Sequence, residues 1–212
     1  MKTMIAIPCL DTVMTRFCAS LTGLELTGEV QYSYSESSLV YDSRNTLAKK
    51  AIAEGFDRVL WLDTDMVFAP NTFKRMSKHL DDGLDFVCGL YTTRKPPFKA
   101  CIYDDVGLTI DKEKNEATPS CRTIYEYPKD SLFEIQACGF GGVMMSAKLL
   151  KEVNDKCGIP FSPIYGFGED LSFCIRAREL GYKLYCDSSI KFGHIGFMTF
   201  TDEILGGTLC IK

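Results

Sequence analysis

Four consecutive apolar residues, Val59-Leu60-Trp61-Leu62, run directly into Asp63-Thr64-Asp65. A strand with no polar alternation is buried on both faces, and a parallel sheet covered by helices on either side is the usual way to bury it. The rest of the chain agrees. Residues 3–7 and 85–91 read as further apolar strands, and 182–192 as a last one. Between them lie helical stretches: 44–54, with Asp42 and Ser43 as possible caps and Gly55 as its stop; 72–80 behind Asn71; 147–156 behind Ser146; and 171–180, ending at Gly181. Alternating strands and helices predict an α/β fold with a mostly parallel central sheet. Residues 92–128 carry Pro96, Pro97, Pro119 and Pro128 and lose clear periodicity, which predicts loops and short antiparallel strands. Residues 132–145 form an apolar stretch with three glycines, and 158–168 a Gly/Pro/aromatic loop.

With 212 residues and 46% hydrophobic content, the chain can bury a full core as one domain. Its net charge of −4 offers no basic stripe for nucleic acid, so a nucleic-acid partner is not expected. The ten cysteines are scattered and never spaced CxxC, which predicts reduced, mostly buried thiols. The first residues lack a signal peptide's hydrophobic region, and no apolar stretch approaches the roughly 20 residues that span a bilayer. No membrane segment and a cytoplasmic location are therefore expected.

Asp63 and Asp65 emerge where a buried strand ends, the edge at which open α/β sheets bind ligands. Two carboxylates held close repel each other unless a cation such as Mg²⁺ or Mn²⁺ joins them; a solvated acidic turn is the alternative. Gly168-Glu169-Asp170 precedes a helix, where acidic residues suit the dipole. Beyond capping, Asp170 is a candidate general base. His194 lies in Gly193-His194-Ile195-Gly196, and an imidazole joining carboxylates suits Mn²⁺; a histidine satisfied by hydrogen bonds is the alternative, and His79 is read that way. Arg44 and Asn45, at a helix start, make a candidate anion site or a solvated surface. Arg94, Lys95 and Lys99 flank two prolines and could cover phosphates or admit an acceptor; a charged exposed turn is the preferred reading.

Taken in order, these pieces resemble the GT-A glycosyltransferase fold, with a Rossmann-like nucleotide-sugar half at about 1–91 and an acceptor and catalytic half at about 92–200. Ile5-Ala6-Ile7-Pro8-Cys9 resembles that family's first strand and nucleobase-contacting turn, and Ser43-Arg44-Asn45 the helix beside the diphosphate. Asp63-Thr64-Asp65 resembles its DxD motif, and Cys138-Gly139-Phe140-Gly141-Gly142-Val143 its glycine-rich strand beside the sugar. Gly168-Glu169-Asp170 and His194 are similar to its catalytic-acid segment and distal metal ligand. The sequence also looks like small virus-encoded members from algal hosts, in which case the compartment is the host cytoplasm.

The resemblance implies Mn²⁺ or Mg²⁺ held by Asp65 and His194, with Asp63 on the ribose or reaching the metal through water, and Asp170 as base. Donor contacts would come from Pro8, Cys9, Arg44, Thr64, Gly141, Gly142 and Glu169, with Arg44 steadying the diphosphate. The implied reaction moves a hexose or deoxyhexose from a nucleotide-diphosphate sugar, UDP-linked by first expectation, to a glycan or glycoprotein hydroxyl with inversion. The chain would then be one domain, of a larger protein if an extended acceptor half exists. Asp63-Thr64-Asp65-Met66-Val67 also fits the DxDx[TV] pattern of haloacid-dehalogenase-type phosphatases, with Asp63 as nucleophile. A non-catalytic sugar-binding module is the third reading.

Overall fold

The structure, a computed structural model, describes residues 1–111 and 116–197. The expected stretch to about residue 200 therefore ends outside the described residues. The elements in order are β1 (Lys2–Cys9), α1 (Thr15–Thr22), β2 (Glu29–Glu36), α2 (Val40–Ala53), β3 (Arg58–Leu62), β4 (Met66–Phe68), α3 (Thr72–Asp81) and β5 (Phe86–Leu90). They continue with β6 (Ile102–Asp111), β7 (Glu116–Thr123), β8 (Leu132–Ile135), β9 (Ala137–Cys138), β10 (Gly142–Ser146), α4 (Ala147–Cys157), α5 (Glu169–Glu179) and β11 (Leu184–His194).

The main sheet has the order β2-β1-β3-β10-β5-β11-β4, with β8 also paired to β11. Strands β2, β1, β3, β5 and β11 run one way, whereas β10, β4 and β8 oppose them. The central sheet is thus mostly parallel, with helices on its faces. β3 and β5 are buried at every position, as their unbroken apolar sequences require. A second, small antiparallel sheet has the order β7-β6-β9.

Several expectations need correction. The antiparallel strands expected in 92–128 are present as β6 and β7 but longer than expected, and Pro119 is accommodated because β7 is an edge strand of the small sheet. The apolar stretch 132–145 divides into β8, β9 and β10, broken at Gln136 and again at Gly139-Phe140-Gly141. α2 begins at Val40, so Asp42 and Ser43 lie inside its first turn, and neither Leu39 nor Asn71 caps its helix with a side chain. Ser146 does cap: its Oγ accepts from the Leu149 N–H at 3.1 Å, and Gly158 closes α4 in the left-handed conformation at φ 73°.

Five of the nine described cysteines are buried, Cys121 and Cys157 are exposed, and all nine are free. Among the described residues, no helix is long and apolar enough to cross a membrane.

Candidate active site

Parallel pairing of β1 with β3 sets Ala6 beside Trp61, so Pro8 and Asp63, two residues further along each strand, reach the same sheet edge. The antiparallel β10 contributes its first residue there, with Gly142 opposite Leu62. After Asp63-Thr64-Asp65 the chain turns into β4, which pairs antiparallel with the end of β11 and sets His194 opposite Met66. The Ile195 N–H donates to the Asp65 carbonyl at 2.8 Å and closes the pairing. This ladder brings the two expected metal ligands together.

His194 Nε2 lies 3.3 Å from Asp65 Oδ2, and its Nδ1 lies 2.8 Å from the Thr92 carbonyl. A carbonyl only accepts, so Nδ1 carries the hydrogen and, in the neutral ring, Nε2 presents its lone pair to a carboxylate oxygen. Two electron-rich atoms so placed call for a positive charge between or upon them. A proton on Nε2 meets that need, and the Asp65 hydrogen bond accordingly holds the His194 pKa above its ordinary value, against the effect of burial. A divalent cation meets it equally, with the Thr92 carbonyl fixing the ring as outer partners of metal-bound histidines do. Burial acts to raise the Asp65 pKa, but His194 and Arg94 outweigh it and hold the carboxyl below its usual range. Among the described residues no three His, Cys, Asp or Glu side chains converge as a metal site.

Arg44 is held from within the protein. Its side chain is only 2% exposed: Nη2 donates to Asp63 Oδ1 at 2.7 Å and Nε to Glu169 Oε1 at 3.2 Å. The guanidinium lies over the Phe140 and Trp61 rings, with Cζ 5.3 and 5.9 Å from their centroids. Arg44 is therefore a buried strut between the acidic turn and the start of α5, and its Nη1 is buried without a protein partner. Glu169 is the other end of that strut. Burial raises the Asp63 pKa and Arg44 only partly offsets it. Asn45 is likewise engaged internally, its Oδ1 accepting from the Phe161 N–H at 2.9 Å.

The glycines also have an internal explanation. A Cβ on Gly142 would stand 2.3 Å from the Phe192 ring and one on Gly141 2.2 Å from the Met66 methyl. Gly142 is required for packing against the Phe192 ring beneath the site, whereas at Gly141 the Met66 methyl would have to move; Gly141 also accepts from the Asp63 N–H at 3.4 Å. Gly89 is under the same constraint, its Cβ position being 2.3 Å from Phe192.

Asp170, in the first turn of α5, accepts the Leu171 N–H on Oδ1 at 2.7 Å. Burial, reinforced by the neighbouring Glu169 charge, pushes its pKa up from 3.8 to about 6. A carboxyl poised there suits proton abstraction near neutral pH.

A cleft of about 370 Å³ opens at this edge, lined among others by Pro8, Cys9, Ser43, Asp63, Thr64, Asp65 and Arg94. Ser43 Oγ is buried without a protein partner. Ser43, in the first turn of α2, thus meets the expectation of a helix beside the ligand, and Arg94, just beyond β5, reaches the same edge.

No family model and no curated protein matches the chain. Solved structures do. A197 from STIV has a TM-score of 0.65 at 18% identity, over 93% of this chain and 87% of that one. GalNAc-T7, crystallised with UDP, GalNAc and Mn²⁺, has a TM-score of 0.59 at 11% identity, and residues 1–349 of S. aureus TarS one of 0.55 at 14%. The match covers 93% and 92% of this chain but only 44% and 60% of those two proteins. The chain has the GT-A glycosyltransferase fold.

Proposed function

We propose that this chain is a metal-dependent glycosyltransferase that moves a hexose or deoxyhexose from a nucleoside-diphosphate sugar, UDP-linked by first choice, to a hydroxyl of a glycan or glycoprotein. The observation that carries this reading is the Asp65–His194 pair at 3.3 Å, its imidazole fixed by Thr92, at the mouth of a cleft suited to a nucleotide. The GalNAc-T7 structure with UDP, GalNAc and Mn²⁺ supports the same donor and metal classes here.

In this reading Pro8, Cys9 and the buried Ser43 hydroxyl line the place of the nucleoside, and Thr64 with Asp63 the ribose and diphosphate side. Arg44 and Glu169 act indirectly, locking the Asp63 carboxylate to the start of α5 so that the acidic turn and Asp170 keep a fixed separation. Gly141 and Gly142 form the floor at the sugar end. Asp65 and His194 would hold Mn²⁺ or Mg²⁺, which when bound neutralises charge growing on the departing diphosphate. Asp170 takes the proton from the acceptor hydroxyl as that oxygen bonds to the sugar carbon. The bond from that carbon to the diphosphate oxygen breaks, and the nucleoside diphosphate leaves with its electron pair. Attack on the face opposite the leaving group inverts the sugar carbon.

The phosphatase expectation is set aside: the fold is GT-A, and Asp63 Oδ1 is bound by a buried guanidinium that would hinder it as a nucleophile. A cytoplasmic site of action and a viral source remain part of the proposal, resting on the sequence alone. The test is a thermal-shift screen of UDP-, GDP- and dTDP-sugars with and without Mn²⁺. A ligand at 100 times its Kd should raise stability by about 2.7 kcal/mol. No stabilisation by any of them, with or without the metal, would refute the proposal.

A further inference from the structure

Of the residues lining the 370 Å³ cleft, one carries a positive charge: Arg94. The cleft also holds Asp63 and Asp65, so a diphosphate entering it meets two carboxylates and a single guanidinium. Arg44, the other arginine near the acidic turn, is buried, with Nη2 and Nε engaged by Asp63 and Glu169 and Nη1 without a protein partner. Arg94 is engaged as well, but differently: its Nη1 donates to Asp65 Oδ2 at 2.9 Å, the same oxygen that faces His194 Nε2 at 3.3 Å. Its side chain is 49% exposed, its Nη1 also reaches the Ile195 carbonyl at 3.5 Å, and it stands on a firmly tied hairpin. Thr92 bridges to Ala100, the Thr93 N–H donates to the Lys99 carbonyl at 2.8 Å, and the Phe98 N–H to the Lys95 carbonyl at 2.9 Å. Arg94 also lines a second cleft of about 550 Å³ on the other side, together with Lys95, Lys99 and His194.

Resting on the glycosyltransferase reading, we infer that Arg94 is an exchange residue: it neutralises Asp65 in the metal-free protein and passes to the diphosphate when a divalent cation and nucleotide bind. A cation joining Asp65 to His194 must compete for Oδ2 and is repelled by a guanidinium 2.9 Å from that oxygen. Once a diphosphate is present, its oxygens offer the guanidinium a bidentate partner of higher charge. The same side chain therefore opposes metal binding alone and favours the complex of metal with nucleoside diphosphate. Such opposite effects couple the two ligands, so neither is held firmly without the other.

The test measures Mn²⁺ binding to the full chain by electron paramagnetic resonance, and UDP and GDP binding by calorimetry at saturating Mn²⁺, in wild type, Arg94→Gln and Arg94→Lys. Arg94→Gln should bind Mn²⁺ alone several-fold more tightly and, in the presence of Mn²⁺, the better of the two nucleotides about tenfold more weakly. Arg94→Lys keeps the charge but loses the fork, and should resemble wild type for Mn²⁺ while binding the nucleotide more weakly. Unfolding by circular dichroism checks that the variants fold. Wild type binding both ligands while Arg94→Gln leaves both affinities unchanged, or moves both in the same direction, overturns the exchange role alone. Wild type binding neither Mn²⁺ nor either nucleotide overturns the underlying glycosyltransferase reading as well.

Discussion

The Asp65 carboxylate and the His194 imidazole face each other at 3.3 Å because β4 turns back from the acidic loop and pairs antiparallel with the end of β11. A three-residue strand thereby joins two distant parts of the chain into one candidate metal-binding pair.

If that pair holds the cation, Asp65→Asn and His194→Ala should each weaken Mn²⁺ binding by at least tenfold, measured by paramagnetic resonance. Thr92 acts only through its backbone carbonyl, so Thr92→Ala should leave the Mn²⁺ affinity close to wild type.

Replacement of Asp170 separates chemistry from binding. Asp170→Asn should abolish sugar transfer while UDP affinity with Mn²⁺ stays within about twofold, because a general base acts on the acceptor proton. In the wild type, kcat/KM should rise with pH through about 6, as Asp170 ionises.

The same residue costs the fold stability. Its pKa is raised from 3.8 to about 6 on folding, chiefly by burial. Stability from this group is therefore greatest below about pH 4, falls as pH rises to about 6, and stays reduced above that. At pH 7 the cost is up to about 3 kcal/mol. Asp170→Asn should raise the midpoint of thermal unfolding at pH 7 and lose that advantage near pH 3.5. The amide oxygen can still accept the Leu171 N–H, so the helix start is retained.

Arg44→Ala should destabilise the protein by about 3–5 kcal/mol in urea unfolding, since it strands the partly buried Asp63 and Glu169 carboxylates without their counter-ion. A loss below about 1 kcal/mol would show that the strut does not hold the acidic turn.

Gly142→Ala drives a methyl into the Phe192 ring, and overpacking of this kind costs about 1–3 kcal/mol. Because Phe192 lies on β11 just ahead of His194, Mn²⁺ affinity should fall along with stability. Double replacement with Phe192→Leu should recover part of both.

Much of this architecture was legible in the chain. The unbroken apolar stretches of β3 and β5, the cap at Ser146 and the glycine stop at 158 are local signals, and burial, capping and left-handed backbone are local requirements. The ordered motifs from Pro8 to His194 were enough to expect GT-A. α1 and β2 were not read: α1 is only eight residues with no side-chain cap and one buried pair, Phe17 and Leu21, and the alternating Val30, Tyr32 and Tyr34 of β2 lie on an edge strand with one buried position. β4 escaped because three residues hold no pattern.

What the sequence determined by itself was the order of the longer buried strands and helices and the residue types delivered to the sheet edge, since these depend on neighbours a few positions apart. Only tertiary structure decided the partners. It buried Arg44 between Asp63 and Glu169, set Gly141 and Gly142 against Met66 and Phe192, and placed Arg94 on the oxygen that His194 faces. The reason is that an ion pair or a close contact is fixed by strand pairing and helix packing across the whole chain, and a side chain's own sequence neighbours carry no record of it.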